Sequence, residues 1–330
     1  MPQKSTRSIS DFVPFYGSKL RNMRIGIVKE IYRYAVKSMA GEQLDECSVG
    51  TRGIPGDRGW AIRDDTTGEI TNGKHFPLLM QSAARYREAP ADGFIPHVDI
   101  TFPDGITIGS DASDVNERLT KLLGKPVSLW PIRPADDLEH YRRKTKTARV
   151  FGRLSRFRAF RAALPTLTSF GPAHEQVRES FSREPGEPLP DLSKLPAHII
   201  EFTSPPGTYF DAFPIHLLTT TSLEMMARLN PAATWDTRRF RPNFLIETEP
   251  QIKGLVEAEW DGRKLHVGSV ELQCEIPTPR CGMTIQAQAN LPKDPSILRT
   301  IVRDADQSLG IYASVLESGS VKVGDLVELG

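Results

Sequence analysis

Apolar and polar positions alternate in short runs along most of this chain. In "MRIGIVKEI" the alternation from Met23 to Ile31 is that of a half-buried strand, and the glycines and prolines of "GTRGIPGDRGWAI" mark a turn between two strands. Further short strands are predicted in "GWAIRDD", "HVDITFPDG" and "ITIGSD", each punctuated by Gly, Pro or Asp. Val115, Leu119 and Leu122 recur at helical spacing in "DVNERLTKLLGK", and Gly124 follows as a stop signal. The C-terminal half repeats the style. "HIIEF", "IHLLT", "FLIET" and "KLHVGSVELQCEIP" read as strands, and Thr221 or Ser222 would cap a helix that turns Leu223, Met226 and Leu229 inward. Near the end, Val321, Val323 and Val327 around Gly324-Asp325 suggest a closing hairpin. The fold class expected is mainly β with short helices, in two barrel-like domains.

Between the two halves the pattern breaks. Arg142 to Arg161 holds nine basic residues (Arg142, Arg143, Lys144, Lys146, Arg149, Arg153, Arg156, Arg158, Arg161) and no acidic one. Val150, Leu154, Phe157 and Leu164 could share a helical face beside them, so the stretch either docks on an anionic surface or partner or is a solvated insertion. The Pro-rich "SREPGEPLPDLSKLP" that follows reads as a linker. The expected organisation is a disordered leader at 1–22, a β-barrel domain at 23–130, a basic and Pro-rich insertion at 131–206 and a second barrel domain at 207–330.

Composition sharpens this. A chain of 330 residues is long enough for two cores. With 42 Lys+Arg against 41 Asp+Glu, the net charge of +1 supplies no general field for nucleic acid, and none is expected as a partner. Three cysteines, Cys47, Cys274 and Cys281, are too few for a disulfide framework and suggest a reducing compartment. No apolar run approaches the ~18 residues of a membrane span, and the first residues lack the apolar centre of a secretory signal. A cytoplasmic protein is expected.

Cys281 stands in "PTPRCGMT", among polar neighbours and beside Arg280. A cation one residue away favours the thiolate, which attacks electrophiles and binds soft metals, although a packed or incidental thiol is the simpler reading. Elsewhere "AVKSMAG" offers Lys37 and Ser38, "GDRGW" offers Arg58, and "TRRFRPNFLI" offers Arg238, Arg239, Arg241 and Asn243. Guanidinium forks with Lys, Ser and Asn form the donor set that binds phosphate, though each alone is equally a surface charge or turn residue. A single thiolate is too few for a zinc site, which takes roughly four protein ligands. A metal at Cys281 would therefore draw most of its coordination from a cofactor with its own sulfurs and a phosphate tail.

Several separated motifs in order, "YAVKSMAGEQL", "GIPGDRGWAI", "FDAFPIHLLTTTSL", "RRFRPNFLIET", "VGSVEL", "PTPRC" and "SGSVKVGDLVEL", resemble the MOSC (molybdenum cofactor sulfurase C-terminal) domain proteins. The arrangement is that of a MOSC N-terminal β-barrel followed by the MOSC domain, most like the amidoxime-reducing components and their bacterial relatives. The resemblance implies a molybdenum cofactor (Mo-molybdopterin) and a pyridoxal phosphate-independent oxidoreductase acting on N-hydroxylated or other N- or S-oxygenated small molecules. By that resemblance Cys281 ligates molybdenum and is catalytic, and Arg280 stabilises its thiolate. Lys37, Ser38, Arg58, Arg241 and Asn243 hold the pterin and its phosphate, with Asp211 and Phe213 of "DAFP" contributing as well. Thr278, which stands where some relatives have a first cysteine, and Arg280 complete the cofactor contacts. "TNGKHFP" departs from the family pattern and leaves Lys74 or His75 near the substrate, and the 131–206 insertion is likewise unusual.

An iron-sulfur donor domain would need about four cysteines. With only Cys47 and Cys274 left, electrons are expected from a separate protein such as a ferredoxin or a haem or flavin protein. Two alternatives belong to other classes: a non-catalytic carrier of the molybdenum cofactor or of sulfur, and an anionic-surface binder that uses the basic segment, which the net charge disfavours.

Overall fold

The computed structural model describes residues 23–155, 157, 160, 163, 171–191, 193, 195–196 and 198–330. The 1–22 leader expected from sequence lies outside them, as do Arg156, Arg158, Arg161 and Leu164 of the basic segment.

The described chain forms the strands β1 (Met23–Arg33), β2 (Glu42–Leu44), β3 (Glu46–Val49), β4 (Trp60–Asp64), β5 (Glu69–Ile70), β6 (Ala83–Tyr86), β7 (Val98–Thr101), β8 (Thr107–Gly109) and β9 (Val127–Pro131) in its first part. After the insertion come β10 (Ile215–Thr219), β11 (Phe244–Thr248), β12 (Lys264–Val267), β13 (Val270–Pro279), β14 (Ser308–Glu317), β15 (Gly319–Lys322) and β16 (Leu326–Leu329). Seven of them close a barrel in the order β11-β10-β14-β13-β12-β16-β1, with β1 returning to β11 and β2 added beside β1. The barrel is filled by inward aliphatics such as Ile25, Val28, Ile31, Leu217, Ile246, Leu272, Ile311 and Val327. The first strand of the chain thus belongs to the barrel of the C-terminal half. β1 makes this fit with two register shifts and a glycine, since any side chain at Gly26 would collide with the carbonyl of Glu247.

β10 and β11 are the parallel pair of this barrel, and a parallel pair needs a crossover. The helix Thr220–Leu229 supplies it, capped by Thr219, whose hydroxyl accepts from the Ser222 amide. The cap is two or three positions earlier than the sequence suggests. Met226 of this helix is buried but Leu229 is 42% exposed, so the inward face is shorter than its apolar spacing implies.

A second core, around Val36, Met39, Trp60, Ile62, Leu79, Ile100 and Leu119, lies between the sheets β5-β4-β9 and β6-β7-β8 and the helix Val115–Leu123. The two centres of packing expected from sequence are present. Residues 34–41 run from one to the other, making single bridges from Val36 to Trp60 and from Ala40 to Ala83. That seam carries the candidate site.

Two local expectations fail. "HIIEF" contains the helix His198–Glu201, and Phe202 bridges Arg142 instead of joining a sheet. The final hairpin does not form, because β15 pairs with β3 while β16 pairs with β12 and β1. Among the described residues, no helix is long and apolar enough to cross a membrane. In the basic segment, the helix Lys146–Leu154 is followed by an exposed Phe157, and Val150 and Leu154 are exposed too, so this apolar face is not packed inward.

Candidate functional site

Three arginine- and lysine-bearing turns meet at the seam. Lys37 follows the end of β1, where its amide is tied to the Trp60 carbonyl. Its buried ammonium donates to Asp211 Oδ1 at 2.6 Å, Tyr209 O at 2.7 Å and Ser204 Oγ at 3.3 Å. Burial lowers the Lys37 pKa, and the charge of Asp211 opposes that shift. Desolvation pushes the Asp211 carboxyl up, but the charge of Lys37 and its hydrogen bond outweigh it and hold the group at about 2. Its side chain is nevertheless 65% exposed, so this carboxylate is open to solvent on one side while Lys37 holds it on the other.

Arg58 and Arg241 stack on Tyr34 with their guanidinium carbons 4.8 and 4.1 Å from the ring centroid. Arg58 also pairs with Asp57. Arg241 Nη1 donates to Met39 O at 2.6 Å, while its buried Nη2 has no partner among the described residues. Burial lowers the Arg241 pKa to about 10. The Asn243 amide donates to Asp57 Oδ2 at 3.1 Å and Tyr32 O at 3.3 Å, and its Oδ1 accepts from the His216 amide at 3.1 Å. Asn243 is therefore committed to holding Asp57 and joining β1 to β10. The Ser38 hydroxyl accepts from the Gly73 amide at 2.9 Å and keeps its own proton for another acceptor.

The Cys281 turn follows β13. Arg280 is buried, and burial lowers its pKa to about 10. Its donors go to Leu309 O at 2.9 Å, Phe240 O at 3.2 Å and His216 Nε2 at 2.9 Å. Its hydrogen bonds thus brace the turn that carries Cys281. Because Nε2 of His216 accepts from Arg280, its Nδ1 is the protonated nitrogen and donates to Arg241 O at 3.3 Å. Burial, with Arg280 adding to it, lowers the His216 pKa well below the ordinary range, so the ring is neutral. The Tyr312 ring makes tilted contacts with His216 and Phe213, at 5.6 and 5.7 Å between centroids. A path of contacts thus runs from Lys37 through Asp211, Phe213, Tyr312 and His216 to Arg280 and Cys281. Thr278 is buried with a hydroxyl that has no partner.

Backbone strain gathers here as well. Seven described non-glycine residues have left-handed φ, and Ser38, Arg58 and Arg241 are three of them. Ser182, Asp306 and Gln307 are three more, and Ser182 and Gln307 touch the Cys281 turn: Ser182 abuts Gly282, and Gln307 O accepts from the Arg280 amide. Such conformations cost roughly 1–3 kcal/mol each and persist where the surroundings demand them. Lys37 and Arg241 are buried and Arg58 nearly so, against two carboxylates, Asp57 and Asp211, while Glu257 is the acid whose charge bears on the buried Arg280. The surplus positive charge and the Ser38 hydroxyl proton suit an anionic ligand with several acceptors, as a phosphate-bearing pterin is.

Arg238 and Arg239 do not join the cluster. Arg238 pairs with Asp236 at the surface, and Arg239 is buried on the carbonyls of Thr234, Gln286 and Pro292. Lys74 donates to Ser180 O in the insertion, and His75 is exposed. Sequence reasoning missed Tyr34, Asp57, His216 and Tyr312. Only His216, a lone histidine in the apolar "IHLL", left a signal. A cavity of about 340 Å³ lies beside the Pro277–Pro279 segment, lined by Leu189, Leu255, Glu257, Ile276 and Leu309 among others, but none of the clustered cations faces it. We place the candidate chemistry at the cations and the cysteine.

Residues 25–125 match the family model of the MOSC N-terminal beta barrel domain, and residues 205–328 match that of the MOSC domain. Mitochondrial amidoxime reducing component 2 of Bos taurus is 26% identical over 331 aligned positions, covering 94% of this chain and 85% of that protein. Among solved structures, the YUAD protein from Bacillus subtilis aligns over 94% of this chain and 98% of its own, with 14% identity and a TM-score of 0.41. YiiM from Geobacillus stearothermophilus aligns over 36% of this chain and 54% of its own, with 16% identity and a TM-score of 0.29.

Proposed function

The chain belongs to the MOSC domain family, with the N-terminal barrel domain ahead of the MOSC domain, and from that premise we propose that it is a molybdenum cofactor-dependent oxidoreductase that reduces N-hydroxylated or other N- or S-oxygenated small molecules. The observation that carries this reading is the strained seam: three turns spend backbone energy to bring buried, under-compensated cations to one place, next to a cysteine loop braced from below. The similarity to an amidoxime reducing component points to the substrate class.

In this reading Lys37, Arg58 and Arg241 hold the phosphate end, Arg241 through its charge, the Ser38 hydroxyl adds a polar contact, and the buried Thr278 lies behind the Cys281 turn. Asn243 positions Asp57 and His216, and Asp211 with Phe213 forms the wall. Cys281 supplies the metal ligand, while Arg280 and His216 fix the loop that presents it. When bound, the cofactor supplies the electron transfer that removes oxygen from the substrate. Among the described residues no group of three or more His, Cys, Asp or Glu is placed to hold another metal. Electrons would come from a separate donor, a ferredoxin or a haem or flavin protein.

Two measurements on the purified protein test this. Molybdenum analysis, with the pterin detected as its fluorescent oxidation product, must find both. The same sample must reduce benzamidoxime with an artificial electron donor. Cofactor without turnover would make the protein a carrier, and absence of both would end the proposal. The Arg241→Ala variant should lose cofactor on dialysis about ten- to hundredfold more readily, since a charge-assisted hydrogen bond is worth roughly 1.5–3 kcal/mol. Full retention would place Arg241 outside the binding set.

A further inference from the structure

The insertion reaches the Cys281 turn. Its helix Gly171–Phe181 ends in Ser182, whose hydroxyl sits so close to Gly282 that a methyl group there would collide with it. Both halves of the molecule grip this end. Lys74 donates to Ser180 O, Arg299 donates to Ser182 O at 2.6 Å, and Arg299 also pairs with Glu187. The next residue, Arg183, is only 2% exposed. Its Nε donates to Gln307 Oε1 at 3.3 Å and its Nη1 to Phe181 O at 3.0 Å, while its Nη2 has no partner among the described residues. Gln307 in turn accepts the Arg280 amide on its carbonyl at 2.8 Å, so one residue ties the Arg183 side chain to the backbone beside Cys281.

All of these acceptors are neutral. Glu184 and Glu187, the acids that follow it, both pair with Arg299. A buried guanidinium without an ion pair is costly, and a neighbouring anion would offset that cost. Burial pushes the Arg183 pKa down to about 10, with Glu187 and then Cys281 pulling it back up.

We propose that Arg183 is a positioning residue of the Cys281 turn: carried there by the insertion, it sets a positive potential at the turn and biases the site toward N-oxygenated substrates that also bear a carboxylate or other oxyanion. The proposal deepens the reading above and rests on Cys281 being the reacting centre. Arg183 acts through its charge, because Nη2 is sealed from solvent.

The first test needs no cofactor. In the full chain stripped of cofactor, the alkylation rate of Cys281 is followed by mass of its peptide, with anionic iodoacetate and neutral iodoacetamide. The ratio of the two rates reads local potential rather than thiol reactivity. It should fall about three- to tenfold in Arg183→Gln and stay within about twofold of wild type in Arg183→Lys, as loss or retention of one nearby unit charge requires. An unchanged ratio in a folded Arg183→Gln overturns the proposal. Should that variant not fold, the wild type decides: its ratio must exceed that of free cysteine, and an equal or lower ratio overturns the proposal. The second test uses the loaded enzyme. KM for a carboxylate-bearing amidoxime should rise about three- to tenfold in Arg183→Gln at unchanged kcat, and KM for neutral benzamidoxime should not move. Equal shifts for both substrates would make Arg183 merely structural. Lack of molybdenum would defeat the oxidoreductase reading while leaving the alkylation result standing.

Discussion

Among single residues, the three cysteines separate cleanly by environment. Cys47 and Cys274 lie in the barrel core, and burial pushes both thiols up to about 12. Cys281 is partly exposed. A thiol reagent at pH 8 should therefore titrate one cysteine in the native, cofactor-stripped protein and three after denaturation, and fast reaction of a second native thiol would contradict the packing. Cys281→Ser should abolish molybdenum retention with little change in melting, and Cys47→Ser and Cys274→Ser should keep the metal, as element analysis would report. Buried histidines predict a pH dependence. Burial lowers the His140 pKa to about 4 and that of His216 well below the ordinary value. The unfolded chain protonates both near pH ~6.5, so stability is full above that pH and is lost as pH falls toward about 4. The slope reaches about 1.4 kcal/mol per pH unit per histidine. Urea midpoints should drop between pH 6.5 and 4.5, less steeply in His140→Gln, with the two proteins similar at pH 7.5. Lys37, Arg58, Arg241 and Cys281 were legible in the sequence because turn residues and polar neighbours set them apart from strands. Tyr34 and Asp57 were not, because an aromatic in a strand and an acid in a turn have ordinary local explanations, and only the fold brings them to the cations.

For the elements, local pattern located strands well and partners poorly. "GSVKVGD" has the alternation and turn residues of a hairpin, yet β15 turns away to β3. The choice is made by burial of Val321 in the barrel core, which the sequence does not display. "HIIEF" is short and apolar, and such runs fit a helix as well as a strand. The crossover helix offers a test. Thr219 caps it and also donates to Glu257, a buried acid whose pKa burial raises. Thr219→Val removes a cap worth about 1 kcal/mol and a hydrogen bond to a buried group worth roughly 1–3 kcal/mol. Chemical denaturation should show a loss of about 2–4 kcal/mol, and a loss below about 1 kcal/mol would show that Ser222 alone satisfies the acid.

In the whole molecule, the two halves are knitted by β1, which pairs with β11 on one side and β16 on the other. Residues 205–330 expressed alone would lack a barrel strand and leave β11 and β16 with open edges, which invite association. Such a fragment should be oligomeric or insoluble by light scattering, and adding back residues 23–44 as part of one chain should restore a monomer. A well-behaved isolated fragment would mean that another strand can take the place of β1.

The same closure has a consequence in time. Met23 pairs with Leu329 across nearly the whole chain. A ribosome adds about 5–20 residues per second, so β1 leaves the exit tunnel many seconds before either neighbour exists. Throughout that interval its apolar face, Ile25, Val28 and Ile31, has no barrel to enter. Until its last strand is released, the nascent chain is thus a natural client for a holding chaperone.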